Sequence, residues 1–184
     1  MPNHCTNRIT MRASKEFLAM FKEKFFTNNE FNFEAVSPYP KEYQDEDVQA
    51  SLGSMLGGSP VGVFGEHGYE WRLKNWNTKW NAYDTQILEE SDDYLIFEFL
   101  SAWDCPLPIL FAIAEFYKDE LLLFGVTYDI EGGLGCGVLD FEEGKLVEDY
   151  FSRPEYGYHA ELRAKHYPKD LTTTLSSIKI TLDD

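Results

Sequence analysis

Basic side chains are scarce in this sequence: 16 lysines and arginines stand against 32 aspartates and glutamates, a formal net charge of -16. That balance weighs against broad, salt-driven adhesion to DNA, RNA or anionic lipid, because binding phosphates needs clustered Lys and Arg that release counterions. Cysteine is scarce too. Cys5, Cys105 and Cys136 lie far apart and form no C-x-x-C pair, an odd set that reads as reduced thiols in a cytosolic protein. Long apolar runs are missing. The opening "MPNHCTNRITMRAS" lacks the apolar core of a secretory signal, and "PLPILFAIAEFY" is broken by Pro108 and Glu115 and is too short to cross a bilayer. A cytoplasmic protein with no membrane contact is the expectation.

What the chain does have is apolar and aromatic substance: 43% hydrophobic residues, with 14 phenylalanines and 11 tyrosines. Such a chain can bury enough surface to offset its ordering entropy, and 184 residues suit one domain with a full core, or one domain carrying an insertion. The acidic surface reads first as a source of solubility. Its sharper reading is a surface that offers carboxylates to a basic protein.

Asn7 to Arg12 reads as a first strand, and Ser14 can cap a helix whose Phe17, Leu18, Phe21 and Phe25 share one face. "FNFEAV", with Phe31, Phe33 and Ala35 alternating against Asn32 and Glu34, predicts a second, half-buried strand that stops at Ser37, Pro38 and Pro40. From Tyr39 to about Tyr83 the pattern weakens into an insertion rich in glycine, with one helix expected near Asp45 to Leu56. Thr85 to Leu88, the turn "EESDD" and "YLIFEFLSAW" predict a hairpin whose second strand is apolar on both faces. "DCPLP" opens a helix with proline in its first turn and a stripe of Leu110, Ile113, Ala114 and Tyr117. "LLLFGVTYDI", "GLGCGVLDF", the turn "EEGK" and "LVEDYF" continue as strands, and "TTTLSSIKITL" could add an edge strand. The order predicts an α+β fold: ferredoxin-like β-α-β repeats with an antiparallel sheet, helices on one face, and an added C-terminal β-hairpin. The domain plan is a ferredoxin-like domain over 1–153 with the insertion at about 39–83, followed by a C-terminal extension over 154–184.

Four motifs carry a family resemblance: "MPNHCTNRIT", "NWNTKWNAY", "FLSAWDCPLP" and "YDIEGGLGCG". Their order resembles the YubB-like ferredoxin-like family of plasmid and phage accessory proteins, across most of the chain. The resemblance implies the fold and a mobile-element origin, and it brings no catalytic signature. Two departures stand out: His4 occupies a position where the family usually has Trp, and Asn77 one where it usually has Gly. If that Gly adopts a positive φ, Asn is the next most tolerant residue.

One stretch breaks the acidic character. "WRLKNWNTKWNAY", from Trp71 to Tyr83, holds Arg72, Lys74, Lys79, Trp71, Trp76 and Trp80 and no acid. Flat rings interleaved with amides and cations can stack on a base, a sugar or a peptide side chain while binding its polar edge, which makes Arg72, Asn75, Trp76, Asn77, Lys79 and Trp80 the candidate binding residues. The plainer reading is that these tryptophans pack the insertion onto the sheet.

Other constellations are weaker. "EGGLGCG" joins two strands rather than opening a helix and lacks the Lys-Ser/Thr ending, so it reads as a hairpin bulge and not a phosphate loop. His4 with Cys5, Cys105 and Cys136 has the right types for zinc but no local ligand pair. No metal, cofactor or catalytic set is assigned. The leading expectation is a non-catalytic accessory protein that binds a protein partner. The alternatives are a single-stranded nucleic acid or nucleotide binder through the Trp/Asn/Lys stretch, and an enzyme whose site assembles from Trp, Asn, Glu131 and a Cys or His distant in sequence.

Overall fold

The structure, a computed structural model, describes residues 3–45, 47–48 and 66–152. Its centre is a six-stranded sheet in the order β4-β5-β1-β6-β7-β8, every neighbouring pair antiparallel. The strands are β1 (His4–Arg12), β4 (Tyr83–Glu90), β5 (Tyr94–Ala102), β6 (Leu123–Ile130), β7 (Gly135–Glu142) and β8 (Lys145–Ser152). Because β1 lies antiparallel between β5 and β6, those two strands run parallel, and α3 (Leu107–Phe116) connects them. By the same logic β4 and β1 run parallel around β5, joined through α1 (Lys15–Phe25) and the segment that follows it. Two interlocked split β-α-β units are the ferredoxin-like plan, and β7 and β8 extend its sheet.

Local chemistry explains the elements. The Ser14 hydroxyl accepts the Phe17 amide proton at 3.2 Å to start α1, which buries Phe17, Leu18, Phe21 and Phe25. Strand β1 alternates buried with half-buried residues along its whole length, so one face meets the helices. On that face the Phe97 ring lies 5.2 Å from Phe26, 5.3 Å from Phe31 and 6.3 Å from Phe21, and burial of each such ring contributes about 1.5–3 kcal/mol. Two buried polar side chains, Asn7 and Ser101, meet here. Asn7, fully buried, donates to the Cys5 carbonyl at 3.0 Å and to Ser101 Oγ at 2.8 Å, tying β1 to the end of β5.

The stretch expected as a second strand is built differently. Only Glu30–Phe31 (β3) is extended, paired with Phe26–Thr27 (β2) across Asn28 and Asn29, both left-handed at φ 53 and 66. The Asn32 side chain then accepts the Glu34 amide proton and starts a 3-10 turn over Phe33–Ala35. Phe31 and Phe33 both enter the core as their spacing suggests, but the second long strand of the first unit is β4, much later in the chain.

In the intervening segment the helix expected near Asp45 to Leu56 is helical at its described residues and begins earlier, and a second helix was missed. Residues 41–45 and 47–48 are helical, and α2 covers Glu66–Trp76, which the glycines around it obscured. Gly68 sits inside α2 because a Cβ there would run into the Tyr39 hydroxyl. The rest of the helix expected up to Leu56, and the C-terminal stretch from 153 onward with its possible edge strand, lie outside the described residues. Among the described residues no helix is long and apolar enough to cross a membrane.

Candidate binding rim at the sheet end

Helix α2 ends at Trp76, and Asn77 takes a left-handed conformation, φ 60, with its amide donating to the Leu73 carbonyl at 3.1 Å. This is the backbone that a Gly-to-Asn exchange tolerates best. The turn splits the tryptophan stretch in two. Before it, Trp76 is 2% exposed, its indole donates to the Ser37 carbonyl at 2.9 Å, and its ring meets Phe33, Tyr39 and Trp71. Arg72 is buried as well, paired with Asp47 and stacked 4.2 Å from the Tyr39 ring centroid. Asn75 bonds back to the Trp71 carbonyl of its own helix.

After the turn Thr78 is buried, while Lys79 and Trp80 are partly exposed. Lys79 Nζ lies 5.4 Å from the Trp80 ring and 5.5 Å from the Trp103 ring, so one ammonium is shared by two half-open indoles. Trp103 in turn packs edge-on against Tyr69 at 6.0 Å. Asn77 holds this arrangement by donating to the Cys105 carbonyl at 2.9 Å, which fixes the island to the start of α3. Of the sequence-predicted residues, then, Asn77, Lys79 and Trp80 gather at one rim, while Arg72, Asn75 and Trp76 belong to the packing behind it.

Trp103 is the outlier of the rim. It sits at φ 77, a conformation in which a bulky side chain is strained, yet it remains 37% exposed. Its amide donates to the Asn3 carbonyl at 2.8 Å, and Ser101 Oγ closes the next turn on the Asp104 carbonyl at 2.6 Å. Two neighbouring contacts thus hold the backbone where it would not settle alone.

Next to the indoles lies a polar corner. Tyr83, whose ring is 6.4 Å from Trp80, shares a hydrogen bond with His4 Nδ1, and the His4 amide donates to Glu131 Oε2 at 3.0 Å. Partial burial raises the Tyr83 pKa, and the carboxylates of Asp84 and Glu131 add to it, so the phenol stays protonated and can donate. Glu131 meets the backbone of His4 rather than its ring, so the three groups do not form a carboxylate-imidazole-hydroxyl relay. The glycines beside Glu131 serve the hairpin: Gly132 and Gly133 are left-handed, and a Cβ on Gly137 would collide with the Tyr128 ring.

Beneath the rim lie two thiols, both fully buried. Burial pushes the Cys5 thiol pKa far up, with Asp104 adding to the effect, and burial does the same to Cys105. A thiol kept protonated is a poor nucleophile and a poor metal ligand. Among the described residues no group of three or more His, Cys, Asp or Glu side chains could hold a metal ion.

His4, Tyr69, Tyr83 and Trp103 escaped the choice of candidate residues. Their signal was in the sequence: three of them fall within the four quoted motifs, which the fold brings to one end of the sheet, at the start of β1 and β4 and the end of β5 and β6. Residues 75–170, more than half of the chain, match the family described as the ferredoxin-like domain in Api92-like protein. The chain belongs to that family. No curated protein and no solved structure matches it. The Api92-like match covers β4 to β8, while β1, the strand that fills the slot between β5 and β6, lies before it.

Proposed function

We propose that this chain is a non-catalytic binding protein that engages a protein partner through the rim of Lys79, Trp80, Trp103, Tyr69 and Tyr83. The observation that carries the reading is the shared ammonium: one lysine lies near two partly exposed indoles, one of them on a strained backbone. Partly exposed Trp and Tyr with a cation are the residue types that dominate protein recognition sites. The buried, protonated thiols and the lack of a relay around His4 argue against nucleophilic chemistry at the same place.

Charge favours protein over nucleic acid. Of the island's three bases, Arg72 is buried and paired with Asp47, in a chain whose net charge is -16. The four motifs support an accessory role in a bacterial plasmid or phage, and the three scattered cysteines support a reducing compartment such as the cytoplasm. Affinity capture from bacterial lysate, with and without nuclease, tests the reading. Wild type should hold a nuclease-resistant protein that a folded Lys79→Ala/Trp80→Ala/Trp103→Gly variant loses. Capture that nuclease abolishes would move the assignment to single-stranded nucleic acid, and an empty capture would contradict both.

A further inference from the structure

The helix layer has an opening that shares no residue with the rim. Between α1, α3 and the 3-10 turn lies a groove with a cavity volume of about 290 Å³. Phe25 and Ile113, both buried, form its floor, Val36 one wall, and Phe116 stands at its mouth. Phe116 is 77% exposed, more than any other large apolar side chain among the described residues. At the polar end Lys24 Nζ donates to Tyr117 Oη at 2.8 Å and lies 5.2 and 5.5 Å from the Phe25 and Tyr117 ring centroids.

Lys24 bonds differently from the bases that hold acids. In a chain with twice as many acids as bases, Arg8, Arg12, Lys15, Lys22 and Arg72 each hold a carboxylate, whereas the Lys24 hydrogen bond goes to a neutral phenol. An ammonium that donates to a phenol beside the Phe25 ring, at the end of an apolar groove, keeps its capacity for a charge-assisted hydrogen bond to an arriving anion. The Tyr117 hydroxyl accepts from Lys24 and can donate to the same anion.

We propose that this groove binds a small amphipathic monocarboxylate, its carboxylate on Lys24 Nζ and Tyr117 Oη and its hydrocarbon body along Phe25, Val36, Ile113 and Phe116. The volume stands at the lower end of the roughly 300–1,000 Å³ of small-ligand clefts, which suits one unbranched chain or a single ring. It is too small to seat a helix about 10–12 Å across. A single cation within a negative field selects a monoanion over a dianion.

Calorimetric titration of the full chain with octanoate and with 1-octanol tests the assignment, alongside mapping of octanoate-induced amide shifts by NMR. Wild type should bind octanoate at one saturable site, at least about tenfold more tightly than 1-octanol, as expected for a charge-assisted contact. Lys24→Gln, a change at an exposed position that leaves the core intact, should erase that preference, and the shifts in wild type should cluster at 24–25, 35–36 and 113–117. Absence of saturable octanoate binding, equal affinity for the alcohol, an unchanged preference in Lys24→Gln, or shifts centred elsewhere would each overturn it.

Discussion

Trp76 is 2% exposed with its indole bonded to a carbonyl of the preceding loop, whereas Trp103 is 37% exposed, left-handed, and packed against a tyrosine and a lysine. Around Trp76 every choice agrees with every other: the ring is buried, the donor is satisfied and the helix ends on a tolerant Asn. Around Trp103 the backbone is strained without the burial that would offset it. Local strain that packing does not reward marks a place where another requirement shaped the chain. That contrast separates the residues that hold the fold from those available to recognise something.

The largest effect should come from the packed side. Phe97→Ala, at a ring with no exposure and aromatic neighbours on several sides, should cost about 3–5 kcal/mol in urea unfolding, and a loss below about 1 kcal/mol would mean the helix layer packs otherwise. Asn7→Ala should cost about 2–3 kcal/mol, since it strips the buried Cys5 carbonyl and Ser101 hydroxyl of a donor at once.

The buried thiols give the contrast a pH signature. Their pKa values in the folded state lie above the unfolded value near 9.0, so the folded state holds protons that the unfolded state releases. The stability they contribute is complete below about pH 9 and is lost as pH rises beyond it, by about 1.4 kcal/mol per pH unit for each thiol. Unfolding midpoints measured from pH 7 to 10.5 should be steeper in wild type than in Cys5→Ala, and identical slopes would place Cys5 in water.

Two smaller effects sharpen the contrast from the rim side. Asn77→Ala should be less stable than Asn77→Gly by about 1 kcal/mol, because both lose the bond to Cys105 and only Ala resists the positive φ. Trp103→Gly should change stability by no more than about 1 kcal/mol, relieved strain offsetting lost ring contacts, while it removes partner capture. A loss above about 3 kcal/mol would make Trp103 a packing residue like Trp76.

Much of this was legible in the residues. Period-2 and period-3.6 patterns, apolar runs and turn signals gave β1, α1, α3 and the strands from β4 to β8. The small hairpin and 3-10 turn after α1 were hidden, because Phe31 and Phe33 alternate as a strand would while Asn28, Asn29 and Asn32 decide the backbone. Helix α2 was hidden by Gly68, whose reason is the Tyr39 hydroxyl far away in sequence. The rim was half visible. Lys79 and Trp80 stood out by composition, but Trp103 joins them only through the β1-β5 register and a positive φ that no local pattern announces.

The most direct test of the recognition claim is photo-crosslinking in bacterial lysate, with a photoreactive residue placed at position 79 and, as a control, at the exposed position 41. The account predicts a nuclease-resistant protein adduct from position 79 and none from position 41. The same adduct pattern from both positions, or no protein adduct from position 79, would contradict it.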